Sequence, residues 1–257
     1  MSQLLQGLRV LNTRPSESAH ILTQSITAAG GVSIECPALE IIPSEPSWID
    51  LLPDLNRANF AVFISANAVR HCFSQLKMHH LIWPKQIKVI AIGQGSAKAL
   101  HELNIQVNAI PKFPDSEHLL SLSCLHQLKN QTVLLFKGEE GRQLIEEGLR
   151  QREANLFILS VYKRVMPKIR HQFMTTLWRD DLVDIILLTS EQSIRNLFTM
   201  FGEEARNWLI KKPVVVISER LVNTAKSFGM TEIIISHPER MMKTLVDYYQ
   251  GLIHGQE

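Results

Sequence analysis

The chain states the same pattern twice. The segment FAVFISANAVRHCF, beginning at Phe60, returns as IILLTSEQSIRNLF at Ile185, a shift of 125 residues. In that shift Ser65 falls on Ser190, Val69 on Ile194, Arg70 on Arg195 and Phe73 on Phe198. VIAIGQGSAKAL at Val89 and VVVISERLVNTA at Val214 are again 125 apart. VLNTRP at Val10 stands 123 residues before VLLFKG at Val133, which sets Arg14 on Lys137. A chain of 257 residues repeated in the order a-b-c-a-b-c is expected to build two related domains, not one large one. Two similar halves with facing loops make a cleft, and function is expected there.

Each repeated unit reads as a short apolar strand, a polar or glycine-containing turn, and a helix. Val69, Cys72, Phe73 and Leu76 fall at i, i+3, i+4 and i+7, and so do Ile194, Leu197, Phe198 and Phe201. That spacing is one buried helical face. The strands at 60–64, 89–92, 133–136, 185–188 and 214–217 are continuous apolar runs, as a parallel sheet covered on both faces requires. Shorter strands are expected at 9–12, 32–36, 106–110, 156–160 and 232–236. The fold class is therefore α/β, with two doubly wound parallel-sheet domains of about five strands each. Gly30 and Gly31, and later Gly229, sit where left-handed helix caps belong.

Two stretches break this rhythm. PALEIIP (37–43) and SVYKRVMP (160–167) alternate and end in proline, and both read as paired linker strands. The chain would then begin in one domain, build the other, and return. Domain 1 would hold 1–36 and 168–257, the linker ladder 37–43 and 160–167, and domain 2 would hold 44–159. A tandem split near 125 competes, and repetition alone does not decide between them.

Composition removes several functions. A net charge of +2 is too small for general nucleic-acid binding, and no apolar run is long enough to span a membrane. The amino-terminal residues lack a basic–apolar–small signal, so a cytoplasmic location is expected. Cys36, Cys72 and Cys124 are isolated, and the first two sit at apolar positions of a strand and a helix, as core thiols do. GQGSAK (93–98) lacks the third glycine of a dinucleotide fingerprint, and Lys98 does not follow a glycine as in a Walker sequence.

Ligands of open parallel sheets bind beyond the carboxyl ends of the strands. The side chains there are short or cationic: Arg14; Ser65 and Asn67; Gly93 and Ser96; Lys137, Gly138 and Arg142; Ser190; Ser218 and Arg220. Helices begin just after most of these turns, so free amides and the positive ends of helix dipoles gather at the rim. Such a rim suits a ligand carrying several carboxylates or phosphates. Ser65 and Ser190 serve equally well as helix N-caps. From the residues alone, the chain is a two-domain binder of a polyanion.

The motifs also resemble a known family. LNTRP (11–15), ISANAV (64–69), AIG (91–93), the proline-led SEHLL (116–120), KGEEGR (137–142) and above all SVYKR (160–164) are similar, in order and spacing, to uroporphyrinogen-III synthase. That resemblance implies two flavodoxin-like domains joined by a two-stranded ladder, which favours the interleaved division. It implies cyclisation of hydroxymethylbilane to uroporphyrinogen III, with loss of water and inversion of the terminal ring through a spiro intermediate. It further implies no cofactor and no metal, and an octacarboxylate substrate held largely by backbone amides. The family tyrosine falls on Tyr162, which the resemblance makes the candidate to donate a proton or a hydrogen bond to the departing hydroxyl. Ser96 and Ser190 fall on family hydroxyl positions. Ser218-Glu219-Arg220 departs from the family's glycine–threonine turn, and Lys137-Gly138 replaces an Arg-Gly turn, keeping charge but losing bidentate pairing. The expected partners are the small-molecule substrate and, transiently, the enzyme that makes it. The chain is expected to be a monomer, with no nucleic acid and no membrane. The alternative is a non-catalytic receptor for a small polyanion, and a nucleotide-sugar transferase is a more distant one.

Overall fold

The computed structural model describes residues 4–45, 47–141 and 143–254. It divides into two compact units, one of residues 1–40 and 165–257 and one of 41–164.

Unit 1 contains the strands β1 (Arg9–Asn12), β2 (Val32–Glu35), β8 (Ile185–Leu188), β9 (Val214–Val216) and β10 (Ile233–Ile235). They lie in the order β10-β9-β8-β1-β2, and every pair is parallel. Counted along this unit's own chain, the order is 2-1-3-4-5, the flavodoxin-like doubly wound arrangement. Its helices include α1 (Ser16–Ala28), α5 (His171–Arg179), α6 (Glu191–Phe201), α7 (Glu219–Ser227) and α8 (Met241–His254). In β8 the side chains divide by parity. Ile186 and Leu188 join the core with α6 and α7, while Ile185 and Leu187 join the core with α1 and α8. Both faces are covered, which is why the strand has no polar position. Gly30 at φ +84° and Gly229 at φ +94° take the left-handed turns after α1 and α7.

Unit 2 contains β3 (from Glu40 to Pro43), β4 (Phe60–Phe63), β5 (Lys88–Ala91), β6 (Thr132–Gly138) and β7 (Asn155–Val165), in the order β3-β7-β6-β4-β5. Its helices include α2 (Ala66–Met78), α3 (Gln94–Glu102) and α4 (Leu144–Gln151). Phe63 stacks on Phe136 with centroids 4.6 Å apart, and Ala61 and Phe63 face one core while Phe60 and Val62 face the other. The repeat survives at the level of register. Val10 pairs with Ile185 in unit 1, and their counterparts Val133 and Phe60 pair in unit 2.

Two strand expectations are corrected. The stretch 106–110 forms only an isolated bridge, Ile90 to Ala109. Asn108 occupies the place of a ladder residue with its side chain, whose Oδ1 accepts the Val89 N–H at 2.7 Å. The stretch 156–160 and residues 160–165 of the next are one strand, β7, which holds no glycine or proline. β3 lies beside β7 at the edge of the sheet, and the division between the units falls within both stretches. Cys36 and Cys72 are core thiols: burial pushes Cys36 up to about 12 and Cys72 well above its ordinary value. Among the described residues no helix is long and apolar enough to cross a membrane.

Candidate functional site

In unit 2, the turn after β4 begins with Ser65, the N-cap of α2, whose Oγ accepts the Ala68 N–H at 3.0 Å. The same hydroxyl donates to the phenol oxygen of Tyr162 at 3.2 Å. One serine therefore joins a helix N-terminus to a phenol. With Ser65 donating, the proton of Tyr162 is left for another acceptor. Tyr162 is only 5 % exposed. The His71 imidazole stacks on its ring, with centroids 5.8 Å apart and planes at 27°. Against the same ring lies Gly138, where a Cβ would stand 2.8 Å from the ring carbon Cζ.

This contact comes from a local irregularity. Lys137 is in register with Ser160, but Gly138 is in register with Tyr162, so Val161 is the extra residue of a bulge. A bulge re-aims the side chain beside it. Here it brings the tyrosine over the one neighbour that has no side chain.

Lys137 does not stand as the free cation expected from its equivalence to Arg14. It is buried, and its Nζ donates to Glu146 Oε1 of α4 at 2.5 Å. Its charge is matched inside the fold, so it does not present itself to an incoming carboxylate. Arg142 lies outside the described residues.

The turn after β5 makes a second feature of unit 2. Gly93 caps α3 with extended backbone and offers no side chain to the first amides. A Cβ at Gly93 would stand 2.8 Å from the Cβ of Pro114, so this glycine lets the segment after the bridge close over the turn. Gly93, Gln94, Gly95, buried Ser96, Pro111 and Lys112 line a cavity of about 410 Å³, with Ala66 at its edge. Asn67 lies next in the first turn of α2, half-buried. Uncapped amides, one hydroxyl and one ammonium suit a carboxylate.

In unit 1, Arg14 follows β1. Its N–H donates to Asn12 Oδ1 at 3.3 Å, and burial pulls its guanidinium below the ordinary value. Ser190 caps α6 in a capping box with Ser193, so its hydroxyl is engaged by the helix. Ser218 caps α7 with extended backbone but makes no side-chain bond to that helix, which leaves its hydroxyl available. Arg220 is exposed in the first turn of α7. Glu191 sits below the usual carboxylate range, held there chiefly by Arg195 and also by Arg220. Unit 1 thus offers a half-buried guanidinium that pairs with no carboxylate among the described residues, a hydroxyl not used by its own helix, and two helix N-termini.

Two residues at these sites escaped the sequence reading, His71 and Glu146. Glu146 had a usable signal, an acid in the first turn of the helix that follows the Lys137 strand. Among the described residues no group of three or more His, Cys, Asp and Glu side chains could hold a metal ion.

Comparison with known proteins gives a consistent picture. The family model described as Uroporphyrinogen-III synthase HemD matches residues 21–247. The uroporphyrinogen-III synthase of Escherichia coli K12 is 28 % identical over 230 residues, covering 88 % of this chain and 94 % of that protein. The Proteus mirabilis uroporphyrinogen-III synthase is 31 % identical over 182 residues, 70 % of this chain and 92 % of its own. Among solved structures, a mutant uroporphyrinogen III synthase from the extremely thermophilic bacterium Thermus thermophilus superposes with a TM-score of 0.62 at 16 % identity, covering 96 % of this chain and all of the other. The Helicobacter pylori 26695 uroporphyrinogen-III synthetase gives 0.60 at 15 % identity, with 95 % and 99 % covered. At these identities the structures speak for the fold.

Proposed function

Since the chain belongs to the uroporphyrinogen-III synthase family, we infer that it closes the linear tetrapyrrole hydroxymethylbilane into uroporphyrinogen III with loss of water. The receptor reading gives way, because the matched family and the named relatives are synthases.

The observation that carries a mechanism is the Ser65–Tyr162 hydrogen bond. In this reading the phenol of Tyr162 gives its proton to the departing hydroxyl as the C–O bond breaks, and water leaves. Negative charge then develops on the phenol oxygen, where Ser65 donates and the N-terminus of α2 is near. The resulting cation is attacked by the terminal pyrrole to give the spiro intermediate, which reopens and recloses with that ring inverted. The proton released when aromaticity returns restores the phenol, so only water is lost overall.

The groups proposed to meet substrate carboxylates are Arg14, Ser190, Ser218 and Arg220 in unit 1, and Asn67, Gly93 and Ser96 in unit 2. Gly138 serves through the ring it seats. Lys137 contributes by holding its own loop. The same reading has the enzyme act as a cytoplasmic monomer in transient contact with the enzyme that supplies its substrate. Hydroxymethylbilane closes spontaneously to the type I isomer, so a short transfer protects it.

The test is to supply hydroxymethylbilane and separate the type I and type III products. Tyr162→Phe is expected to lose about ten- to a hundredfold in the rate of type III formation, at or below the usual range for a general acid. Type III made at the wild-type rate removes Tyr162 from the chemistry.

A further inference from the structure

The bulge at Val161 breaks the regular β6–β7 register just before Tyr162. Segments on either side of β7 hold the two peptides at the break. The Val161 carbonyl accepts the Ser44 N–H at 3.2 Å, and the Tyr162 carbonyl accepts the Glu139 N–H at 2.9 Å. Ser44 follows β3 and Glu139 follows β6. These two residues, 95 apart in the chain, are joined: Ser44 Oγ donates to Glu139 Oε1 at 2.7 Å. Ser44 is 6 % exposed, whereas Glu139 is an exposed residue. A carboxylate at the surface thus reaches in to take up a buried hydroxyl.

We propose that Ser44 and Glu139 form a clasp that positions Tyr162 for turnover. The clasp rests on the reading of Tyr162 as proton donor, and neither member touches the substrate in it. Both carbonyls of the bulged peptides are held by segments that the Ser44–Glu139 bond ties together, so the direction of the Tyr162 side chain depends on that bond. A tilt of about 10° at the Cα moves a phenol oxygen by about 1 Å, and a misplacement of that size costs up to about a hundredfold in rate.

The experiment compares Ser44→Ala, Glu139→Ala, Glu139→Gln and Ser44→Ala/Glu139→Ala, each with Tyr162 and with Tyr162→Phe. With Tyr162 present, either alanine variant is expected to lower kcat about tenfold with KM within about twofold, as loss of positioning alone would. The double variant is expected to lose no more than either single one. Glu139→Gln, whose amide oxygen accepts the same hydrogen bond, restores most of the loss. In the Tyr162→Phe background none of these substitutions costs more. Glu139 is exposed, so its variants fold even if Ser44→Ala does not; thermal unfolding midpoints identify which variants are folded. If Tyr162→Phe is impaired while Glu139→Ala turns over at the wild-type rate, the clasp is wrong and Tyr162 keeps its role. Equal losses with tyrosine and phenylalanine also overturn it, because the bond then serves only the fold. Wild-type turnover by Tyr162→Phe removes the role itself, and the clasp with it.

Discussion

Tyr162 rests on Gly138 so closely that a methyl group there would stand 2.8 Å from Cζ and 3.1 Å from the phenol oxygen. Gly138 does not have a left-handed backbone, so an alanine would act through that collision alone. The tyrosine must move or the strand must part. Gly138→Ala is expected to destabilise the protein by about 1–3 kcal/mol, the usual cost of overpacking. It should also slow type III formation by about tenfold or more in the folded protein, through displacement of the phenol. Thermal unfolding and isomer analysis measure the two effects separately. Undiminished turnover would show that the seat of the ring does not matter.

Lys137 and Glu146 make a buried pair, with side chains 6 % and 11 % exposed. Removing one partner leaves the other charged and uncompensated, which costs about 3–5 kcal/mol. Lys137→Met is expected to fall in that range by urea unfolding, and Lys137→Met/Glu146→Leu to recover most of the loss. A small stability change accompanied by a large rise in KM would mean that Lys137 meets substrate after all.

Arg14 is the opposite case. Its guanidinium is half-buried and desolvated, and no carboxylate among the described residues offsets that cost. Arg14→Met should therefore leave the unfolding midpoint equal or higher while raising KM for hydroxymethylbilane about tenfold, roughly one charged hydrogen bond. A lower midpoint with unchanged KM would make Arg14 a structural residue.

Arg9 and Asp184 tie the starts of β1 and β8, with 2.5 Å between Nη2 and Oδ1. Burial pushes the Asp184 carboxyl up, but its bonds from Arg9 outweigh this and hold it below the ordinary value. A carboxylate lowered in the folded state adds stability above its unfolded pKa of about 4, and that stability is lost as pH falls through the folded value. With about a third of each side chain exposed, the contribution at neutral pH is about 1 kcal/mol. Wild type should exceed Asp184→Asn by that amount at about pH 7 and lose the advantage below about pH 4. A gap that stays constant down to about pH 2 would rule this out.

Much of the architecture was open to reading because each residue of the central strands carries the same message. Phe60 to Phe63 are all buried, and so are Ile185 to Leu188, since both faces of each sheet are covered. Helix starts were legible for a similar reason: Ser65 and Ser190 accept amides at the positions where the repeat places them. What stayed hidden depends on distance or on a single irregularity. Val161 looks like any apolar strand residue, yet it is the one that the pairing skips, and this aims Tyr162 at Gly138. The link from Ser44 to Glu139 spans 95 residues and leaves no periodic trace. Lys137 matched Arg14 in position, but nothing in the repeat told that only one of them would meet an acid inside its own unit. At 106–110 the pattern was apolar enough for a strand, but the pairing stops at one bridge, beside which the Asn108 side chain takes the Val89 N–H.

The sheet of unit 1 draws β1 and β2 from residues translated before unit 2, and the central neighbour β8 from a segment that begins at Ile185. Unit 2 is one uninterrupted length of polypeptide between them. On the ribosome, then, unit 2 can mature while β1 still lacks the strand that completes its pairing. The early strands spend that interval with an unmatched apolar edge, the kind of surface that aggregates before its partner arrives.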